Sequence, residues 1–202
     1  MKVGIWNCQG AGSPLTVPQL KEAIDLHSPG VLFLSETKNQ KKFMESVKQK
    51  LNFEDSVIVD SVGKARGLAL FWKHWIKVIK VELSNFYIAA RMMDIEARCE
   101  WTFIGIYAST DDGRRRNQWR EIERKMNKWG EKWIIAGDFN DILSNGEKWG
   151  ERQRPEWNFA DFRGLVNVNN LVDIEYDGKP WTWCSHWEGQ EIKQRLDRAL
   201  AN

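Results

Sequence analysis

Polar residues follow four short apolar runs of the sequence, and their types suit the chemistry of a phosphate held beside a divalent cation. The runs cover residues 3–6, 31–35, 103–106 and 133–137, and they are followed by Asn7, Glu36, Tyr107, and Asp138 with Asn140. Short apolar runs of this kind are typical of buried strands. If the strands share a sheet, we expect the polar side chains that follow them to meet in one pocket.

Each of these side chains has a defined use in phosphate chemistry. Asp138 can orient or deprotonate a water, and Asn140, two residues later, can point to the same side and hold that water or a phosphate oxygen. Glu36 offers a hard oxygen ligand to Mg²⁺, which prefers few protein carboxylates and keeps several waters. Tyr107 can donate to the phosphate. Residues 137–140 also have a second interpretation, because Gly, Asp and Asn form turns after strands.

Composition excludes several classes of protein. The 202 residues carry a net charge of +2, which is too weak to imply nucleic acid by itself. The three cysteines are far apart and form no C-x-x-C pair, so we expect a reducing compartment and neither a disulfide framework nor a structural zinc site. We find no signal peptide and no apolar run of about 18 residues, so we expect neither secretion nor a membrane span.

Hydrophobic periodicity predicts helices that flank a meander of strands. Apolar residues recur at helical spacing over residues 17–27, 41–51, 115–129 and 156–169, with Gly130 as the residue that ends the third helix. The strands are expected at residues 57–59, 68–72, 76–83, 86–97, 99–107 and 181–184. A last helix is expected to begin within residues 195–201. This order of elements indicates an α/β or α+β fold with mixed sheets.

The order of the polar motifs resembles the endonuclease/exonuclease/phosphatase superfamily, which includes apurinic/apyrimidinic endonucleases. The motifs are W-N-x-x-G at 6–10, S-E-T-K at 35–38, G-I-Y at 105–107, G-D-F-N at 137–140 and R-L-D-R at 195–198. Residues 67–72, 181–183 and 195–202 are similar to the endonuclease domain of plant LINE-type (non-LTR) retrotransposons. The resemblance implies a single domain over residues 1–202. The fold it implies is a two-sheet α/β sandwich of mixed, mainly antiparallel strands flanked by helices, as in apurinic/apyrimidinic endonucleases.

The resemblance also implies a role for each motif residue. Asn7 organises the metal site and Glu36 binds the metal, Mg²⁺ or Mn²⁺. Tyr107 contacts the phosphate, Asp138 activates the water with Asn140 as its companion, and Asp197 supports a catalytic histidine. Thr182 belongs to the family's F-T-W stretch and is assigned to substrate binding.

The implied substrate is DNA, cleaved by an intracellular and nuclear enzyme that is a monomer and binds no membrane. Arg114, Arg115 and Lys38 are placed near the strand ends, where they can contact the DNA backbone. The alternative for the three basic residues is a solvated helix start and a solvated loop. Three successive arginines at a helix N-terminus also oppose the helix dipole, so we expect a compensating partner there.

The sequence departs from the family at its end, because no Ser-Asp-His triplet is present. The histidines are His27, His74 and His186, and none stands in such a motif. The expected consequence is a fold that lacks its last strand and a chain that is weak or inactive as a nuclease, since one lost transition-state partner costs about a hundred- to thousand-fold in rate.

Two further departures lie elsewhere in the motifs. Gln9 replaces a frequent acidic residue, and residues 107–110 replace Tyr-x-Pro-Asn. Two alternatives therefore stay open. One is a catalytically dead remnant that binds nucleic acid or a partner, and the other is a small-molecule or lipid phosphatase.

Overall fold

We analysed a computed structural model that describes residues 1–63, 66–150, 152–187 and 189–202. The chain forms two compact units, Met1–Tyr107 and Ala108–Asn202. In the first unit the elements are β1 (Val3–Asn7), α1 (Thr16–His27), β2 (Val31–Ser35), α2 (Lys41–Lys50), β3 (Asp55–Val59), β4 (Leu68–Trp72), β5 (Ile76–Leu83), β6 (Tyr87–Asp94) and β7 (Cys99–Tyr107).

The first unit contains a mixed sheet and an antiparallel meander. The mixed sheet has the order β1-β2-β4-β3, in which β1 and β2 are parallel and the other pairs are antiparallel. The meander pairs β5 with β6 and β6 with β7. Every residue of β2 and β4 is buried, which explains why their sequences are continuous apolar runs. Phe33 of β2 packs edge-on against Phe103 of β7, with ring centroids 6.0 Å apart.

The second unit contains two three-stranded antiparallel arrangements and two helices. The strands follow the orders β8-β13-β10 and β9-β12-β11. Its aromatic core stacks Trp119 on Phe162, with ring centroids 5.3 Å apart. The elements are α3 (Asp112–Met126), β8 (Trp133–Asp138), a 3₁₀ turn (Asn145–Glu147), β9 (Lys148–Trp149), a 3₁₀ turn (Glu156–Phe159), α4 (Ala160–Val168), β10 (Val172–Asp173), β11 (Trp183–Trp187), β12 (Gln190–Gln194) and β13 (Asp197–Ala201).

The structure confirms the expected class, an α/β fold with mixed sheets flanked by helices. The strands predicted at residues 68–72, 76–83 and 99–107 have the observed bounds. The helix predicted within residues 195–201 is wrong, because Asp197–Ala201 is a strand that pairs with both β8 and β10. Its residues alternate between half-buried and buried positions, and that period of two belongs to a strand.

Several boundaries also differ from the prediction. Helix α3 begins earlier, at Asp112, because the Asp111 side chain accepts a hydrogen bond from the Arg114 N–H at 2.8 Å, which is the usual way a helix N-terminus is capped. It ends at Met126, so Gly130 does not end it. Residues 95–98 form a turn after β6, and the short strand expected at residues 181–184 is Trp183–Trp187.

Candidate active-site residues

Asn7, Glu36 and Lys38 form one hydrogen-bonded group in the first unit, which we call the Glu36 cluster. The Asn7 Nδ2 donates to Glu36 Oε1 at 3.0 Å, and the Lys38 Nζ lies 3.1 Å from Glu36 Oε2. Asn7 ends β1 and Glu36 follows β2, and these strands run parallel with Asn7 opposite Ser35. The parallel pairing therefore brings both residues to the same end of the sheet, as the sequence predicted.

Backbone hydrogen bonds hold the loops that carry this cluster. The Gly10 N–H donates to the Glu36 carbonyl at 2.9 Å, and the Thr37 N–H donates to the Gly67 carbonyl at 3.1 Å. Glu36 and Lys38 have positive φ angles of 46° and 53°. This conformation is uncommon for residues with a side chain and persists where the surroundings enforce it, often at functional sites.

Gly67, which lies beside these loops, has no room for a side chain. Gly67 has a φ of +90°, and a Cβ added there would lie 2.3 Å from Thr37 Oγ1. Any side chain at this position would therefore push the loop that carries Glu36 out of place.

The oxygen atoms of the Glu36 cluster fit a hydrated Mg²⁺. Among the described residues no three His, Cys, Asp or Glu side chains come together as a metal-binding group, so a cation here would rely on one carboxylate, the Asn7 amide and water. Such a set matches Mg²⁺, which uses few protein carboxylates. Glu36 Oε2 already forms an ion pair with the Lys38 ammonium, so this oxygen can interact with a cation.

Cys8 follows Asn7 in the chain and is buried, and its N–H donates to the Ser35 carbonyl at 2.9 Å. Burial, and secondarily the negative charge of Glu36, raise the pKa of its thiol to about 12. Cys8 therefore stays a neutral packing residue at physiological pH.

Tyr107 ends β7, and its backbone N–H donates to the Phe86 carbonyl at 2.8 Å. Its side chain is half-buried. The structure thus places Tyr107 at a strand end, as predicted, and its contact with a phosphate stays a prediction.

Asp138 and Asn140 form a turn at the end of β8 in the second unit. The Asn140 backbone N–H donates to Asp138 Oδ1 at 2.8 Å, and the Asn140 Nδ2 donates to the Ala108 carbonyl at 2.9 Å. The Ala108 N–H donates to the Asp138 carbonyl at 2.9 Å. Asn140 has a φ of +48°, so the chain turns sharply and the amide and the buried carboxylate are held next to each other. This arrangement suits a carboxylate that takes a proton from water and an amide that orients it.

Asp197 and Thr182 belong to the same unit and are fixed by β13. Asp197 is paired in register with Asp138 across the β8–β13 ladder. The Thr182 Oγ1 accepts hydrogen bonds from the backbone N–H groups of Leu196 and Asp197, both at 3.0 Å. We call Asp138, Asn140, Asp197 and Thr182 the Asp138 cluster. The structure shows that the Thr182 hydroxyl supports the backbone beside Asp197, and its expected role in substrate binding stays a prediction.

The three arginines at residues 114–116 have three different surroundings. Arg114 is exposed, and Arg116 is an exposed partner of Asp161 at 2.7 Å. Arg115 is buried, with its Nε donating to Asp141 Oδ2 at 3.1 Å and its Nη2 to Asp112 Oδ1 at 2.6 Å. Its Nη1 also donates to the carbonyls of residues 109 and 110.

Arg115 is therefore not part of a solvated helix start, because its guanidinium binds partners inside the unit. Its contact with the DNA backbone stays a prediction. Asp112 and Asp141 are the compensating partners expected at this helix start. The buried position raises the pKa of Asp141, and the Arg115 charge opposes that shift.

A second buried arginine, Arg198, follows Asp197 in β13 and was not predicted from the sequence. Its side chain is fully buried and donates two hydrogen bonds to the Glu147 carboxylate, of 3.0 Å and 2.6 Å. It also reaches Asp173 Oδ2 at 3.2 Å, and Arg195 Nη2 lies 2.8 Å from Asp173 Oδ1. The alternation of β13 puts Arg198 on the buried side of the strand, so a strand prediction would have indicated a buried arginine. The sequence was expected to form a helix here, and the alternation was therefore not used.

A polar cavity of about 410 Å³ opens beside Asn140. All of its lining residues belong to the second unit, and they include Asn140, Arg154, Asn158, Trp183, Gln194 and Leu196. The volume falls within the range of small-molecule and cofactor pockets, roughly 300–1,000 Å³. The Asp138 cluster therefore has a binding cavity next to it.

The three histidines lie outside both clusters. His27 ends α1 and is exposed, and His186 is exposed in β11 opposite Glu191. The exposed His74 Nδ1 lies 3.4 Å from Glu54 Oε1. Their positions give no sign of a histidine that takes over the role of the Ser-Asp-His motif. In the part of the chain that the structure describes, no helix is long and apolar enough to cross a bilayer.

Solved structures with the same fold act on phosphate esters. A 3′-5′ exonuclease from Neisseria meningitidis shares 17% identity with a TM-score of 0.77, covering 100% of this chain and 87% of that one. The endonuclease domain of TRAS1, a telomere-specific non-LTR retrotransposon, shares 17% identity with a TM-score of 0.67, covering 99% and 84%. A mannosyl-6-phosphatase from Bacteroides thetaiotaomicron shares 14% identity with a TM-score of 0.69, covering 99% and 84%.

The fold is one that nucleases and a sugar phosphatase share. A sequence model of the Endonuclease/Exonuclease/phosphatase family matches residues 4–202, and the chain belongs to that family. A search of curated protein sequences found no significant match.

Proposed function

We propose that this protein is a Mg²⁺-dependent phosphodiesterase that nicks DNA, as the retrotransposon endonucleases it resembles are expected to do. The observation that carries the proposal is the Asp138–Asn140 turn, in which a buried carboxylate and an oriented amide are locked by three hydrogen bonds within 2.9 Å. An intracellular, nuclear location and a monomeric state are part of the same proposal.

Each cluster has its own part in the reaction. Asp138 accepts a proton from the attacking water, and Asn140 holds that water or a phosphate oxygen in line. Asp197 adds a second negative charge, at the position of β13 that is paired with Asp138 of β8. Glu36, positioned by the Asn7 amide, would hold Mg²⁺, which supplies charge stabilisation to the phosphate and the leaving oxygen when bound. The side chains of Arg114 and Lys38 are exposed and would bind the DNA backbone.

The rate is expected to be low. The 202 residues contain no Ser-Asp-His triplet, and loss of one transition-state partner costs about a hundred- to thousand-fold. This departure is also what favours the second candidate function, a protein that binds nucleic acid without cleaving it. The sugar phosphatase among the solved structures supports a third candidate, a small-molecule phosphatase.

Nicking of supercoiled plasmid tests the proposal. We expect slow nicking with Mg²⁺ that EDTA abolishes and that falls at least about a hundred-fold in Asp138→Ala and in Glu36→Gln. Asp25→Ala and Glu22→Gln are the matched controls, because both residues are exposed on α1, and both should retain the wild-type rate.

Other outcomes would contradict the proposal in distinguishable ways. A folded chain that does not nick but binds DNA in EDTA, with an affinity that falls steeply with salt, would favour the binding protein. Phosphate release from a sugar phosphate without any nicking would favour the small-molecule phosphatase.

A further inference from the structure

Glu36 and Lys38 make the Glu36 cluster electrically neutral. Both oxygens of the Glu36 carboxylate have partners, since Oε1 accepts from the Asn7 Nδ2 at 3.0 Å and Oε2 lies 3.1 Å from the Lys38 Nζ. The Asn7 Oδ1 in turn accepts a hydrogen bond from the Gln9 N–H at 3.2 Å, and the Gln9 side chain carries no charge. The negative charge of Glu36 is therefore balanced by the positive charge of Lys38.

The Lys38 backbone is fixed, whereas its side chain reaches the solvent. Its N–H donates to the Arg66 carbonyl at 2.8 Å, and its φ is +53°. The side chain is 36% exposed. A lysine ammonium is a compact charge on a flexible stem, and ion pairs that are partly exposed add little to stability. Rotation of the stem therefore moves the ammonium away from Glu36 at little cost, while the loop keeps its conformation.

The Lys38 ammonium and a divalent cation at Glu36 repel each other. A cation that approaches the Glu36 carboxylate comes close to the Nζ, because Oε2 holds that atom at 3.1 Å. At a separation of about 5–6 Å in water, the repulsion between a divalent ion and a unit charge lowers an affinity roughly tenfold. Tight cation binding therefore requires that Lys38 turns away, and a DNA phosphate is a partner that its ammonium can then bind.

We propose that Lys38 exchanges its partner when DNA binds. It neutralises Glu36 in the free protein and moves to a DNA phosphate in the complex, which leaves the Glu36 carboxylate to the divalent cation. The inference rests on the proposed function and adds a coupling between its two ligands. DNA and the cation then strengthen each other's binding, and by linkage each does so by the same factor. Lys38 thereby restricts tight cation binding to the DNA complex.

Mn²⁺ binding without DNA, measured from the electron paramagnetic resonance signal of the free ion, tests the first half of the exchange. We expect Lys38→Met to bind Mn²⁺ about tenfold more tightly than wild type, because the competing charge is gone. Lys38→Arg keeps that charge and should bind no more tightly than wild type. Lys77→Met is the matched control, because it removes an exposed positive charge from β5, and it should retain the wild-type affinity. Glu36→Gln should abolish the binding.

Fluorescence polarisation of a labelled DNA duplex tests the second half. The affinity is measured in EDTA and in saturating Mn²⁺, and the ratio of the two values is the coupling. We expect this ratio to be about tenfold smaller in Lys38→Met than in wild type, since the coupling lost must equal the Mn²⁺ affinity gained by the free protein. Effects of Mn²⁺ on the duplex itself are shared by all variants and cancel in this comparison.

The outcomes separate this inference from the proposed function. Equal Mn²⁺ affinities of wild type and Lys38→Met, or an equal gain in Lys77→Met, would overturn the inference and leave the metal site intact. Tighter Mn²⁺ binding by Lys38→Met with an unchanged coupling ratio would also overturn it, because Lys38 would then not move to a phosphate. If neither protein binds Mn²⁺ through Glu36, or neither binds DNA, the proposed function and this inference fail together.

Discussion

The Glu36 cluster of the first unit and the Asp138 cluster of the second unit are held by different kinds of interaction. Backbone hydrogen bonds between loops fix the Glu36 cluster, and Glu36 and Lys38 adopt positive φ angles. Buried ion pairs stand next to the Asp138 cluster in the chain, with Arg198 bound to Glu147 and Arg115 bound to Asp141. The first cluster should therefore be sensitive to changes in backbone conformation, and the second to changes in side-chain charge.

The largest effect is expected from Arg198→Ala. The substitution leaves Glu147 and Asp173 without their most buried cation, and breaking a buried pair from one side costs about 3–5 kcal/mol of folding free energy. Urea unfolding followed by circular dichroism measures this loss. The control is Arg116→Ala, which breaks an exposed pair with Asp161 and should cost far less, because exposed ion pairs add little to stability. Similar losses in both variants would show that the buried network does not support the second unit.

Gly67→Ala should produce the next largest loss and tests the backbone side of the comparison. The new Cβ would lie 2.3 Å from Thr37 Oγ1 at a φ of +90°, and overpacking of this kind costs about 1–3 kcal/mol. Gly63→Ala is the matched control, because Gly63 has a φ of +63° with open space around its Cβ position. Equal destabilisation of the two variants would mean that φ alone matters and that the contact with Thr37 does not.

Thr182→Val probes how the second unit positions Asp197. Valine keeps the shape of threonine but leaves the N–H groups of Leu196 and Asp197 without the Thr182 Oγ1 acceptor, which should cost about 1–3 kcal/mol. Thr182→Ser retains the hydroxyl and should cost less in the same urea titration. If Thr182→Ser loses as much as Thr182→Val, packing of the methyl group is the main contribution.

Local sequence patterns predicted the elements that are buried on both faces or that have a clear helical stripe. The strand at residues 68–72 is a continuous apolar run, and Trp119, Ile122 and Met126 line the buried face of α3. A helix was expected within residues 195–201, where Arg, Leu and Ala do favour helices. Pairing on both sides of β13 overrides that preference.

The sequence predicted only those site residues that directly follow strands of the sheet. Asn7 and Glu36 are brought together because each follows a strand of one parallel pair. The contact between Arg198 and Glu147 joins residues 51 positions apart, and no local pattern encodes it. Arg114, Arg115 and Arg116 are identical letters in a row, yet one is buried in an ion pair, because the helix turns each side chain to a different surrounding.

The smallest effect concerns Cys8 and appears only at alkaline pH. Burial, with a lesser contribution from the charge of Glu36, raises the pKa of this thiol from 9.0 to about 12. Above pH 9 the unfolded chain loses the Cys8 proton while the folded chain keeps it, so stability falls as pH rises through this window. The loss should reach about 1.4 kcal/mol between pH 7 and pH 10.

Urea titrations at the two pH values give the free energy of unfolding of wild type and of Cys8→Ala. The loss due to the thiol is the decrease seen in wild type minus the decrease seen in Cys8→Ala. Cys99→Ala should keep the wild-type pH dependence, because Cys99 is exposed. An identical pH dependence in wild type and Cys8→Ala would mean that the thiol ionises as readily in the folded protein as in the unfolded chain. The packing around Cys8, next to Asn7 of the Glu36 cluster, would then be loose. That result would contradict the view that tightly packed backbone holds the Glu36 cluster, and the contrast with the Asp138 cluster would be lost.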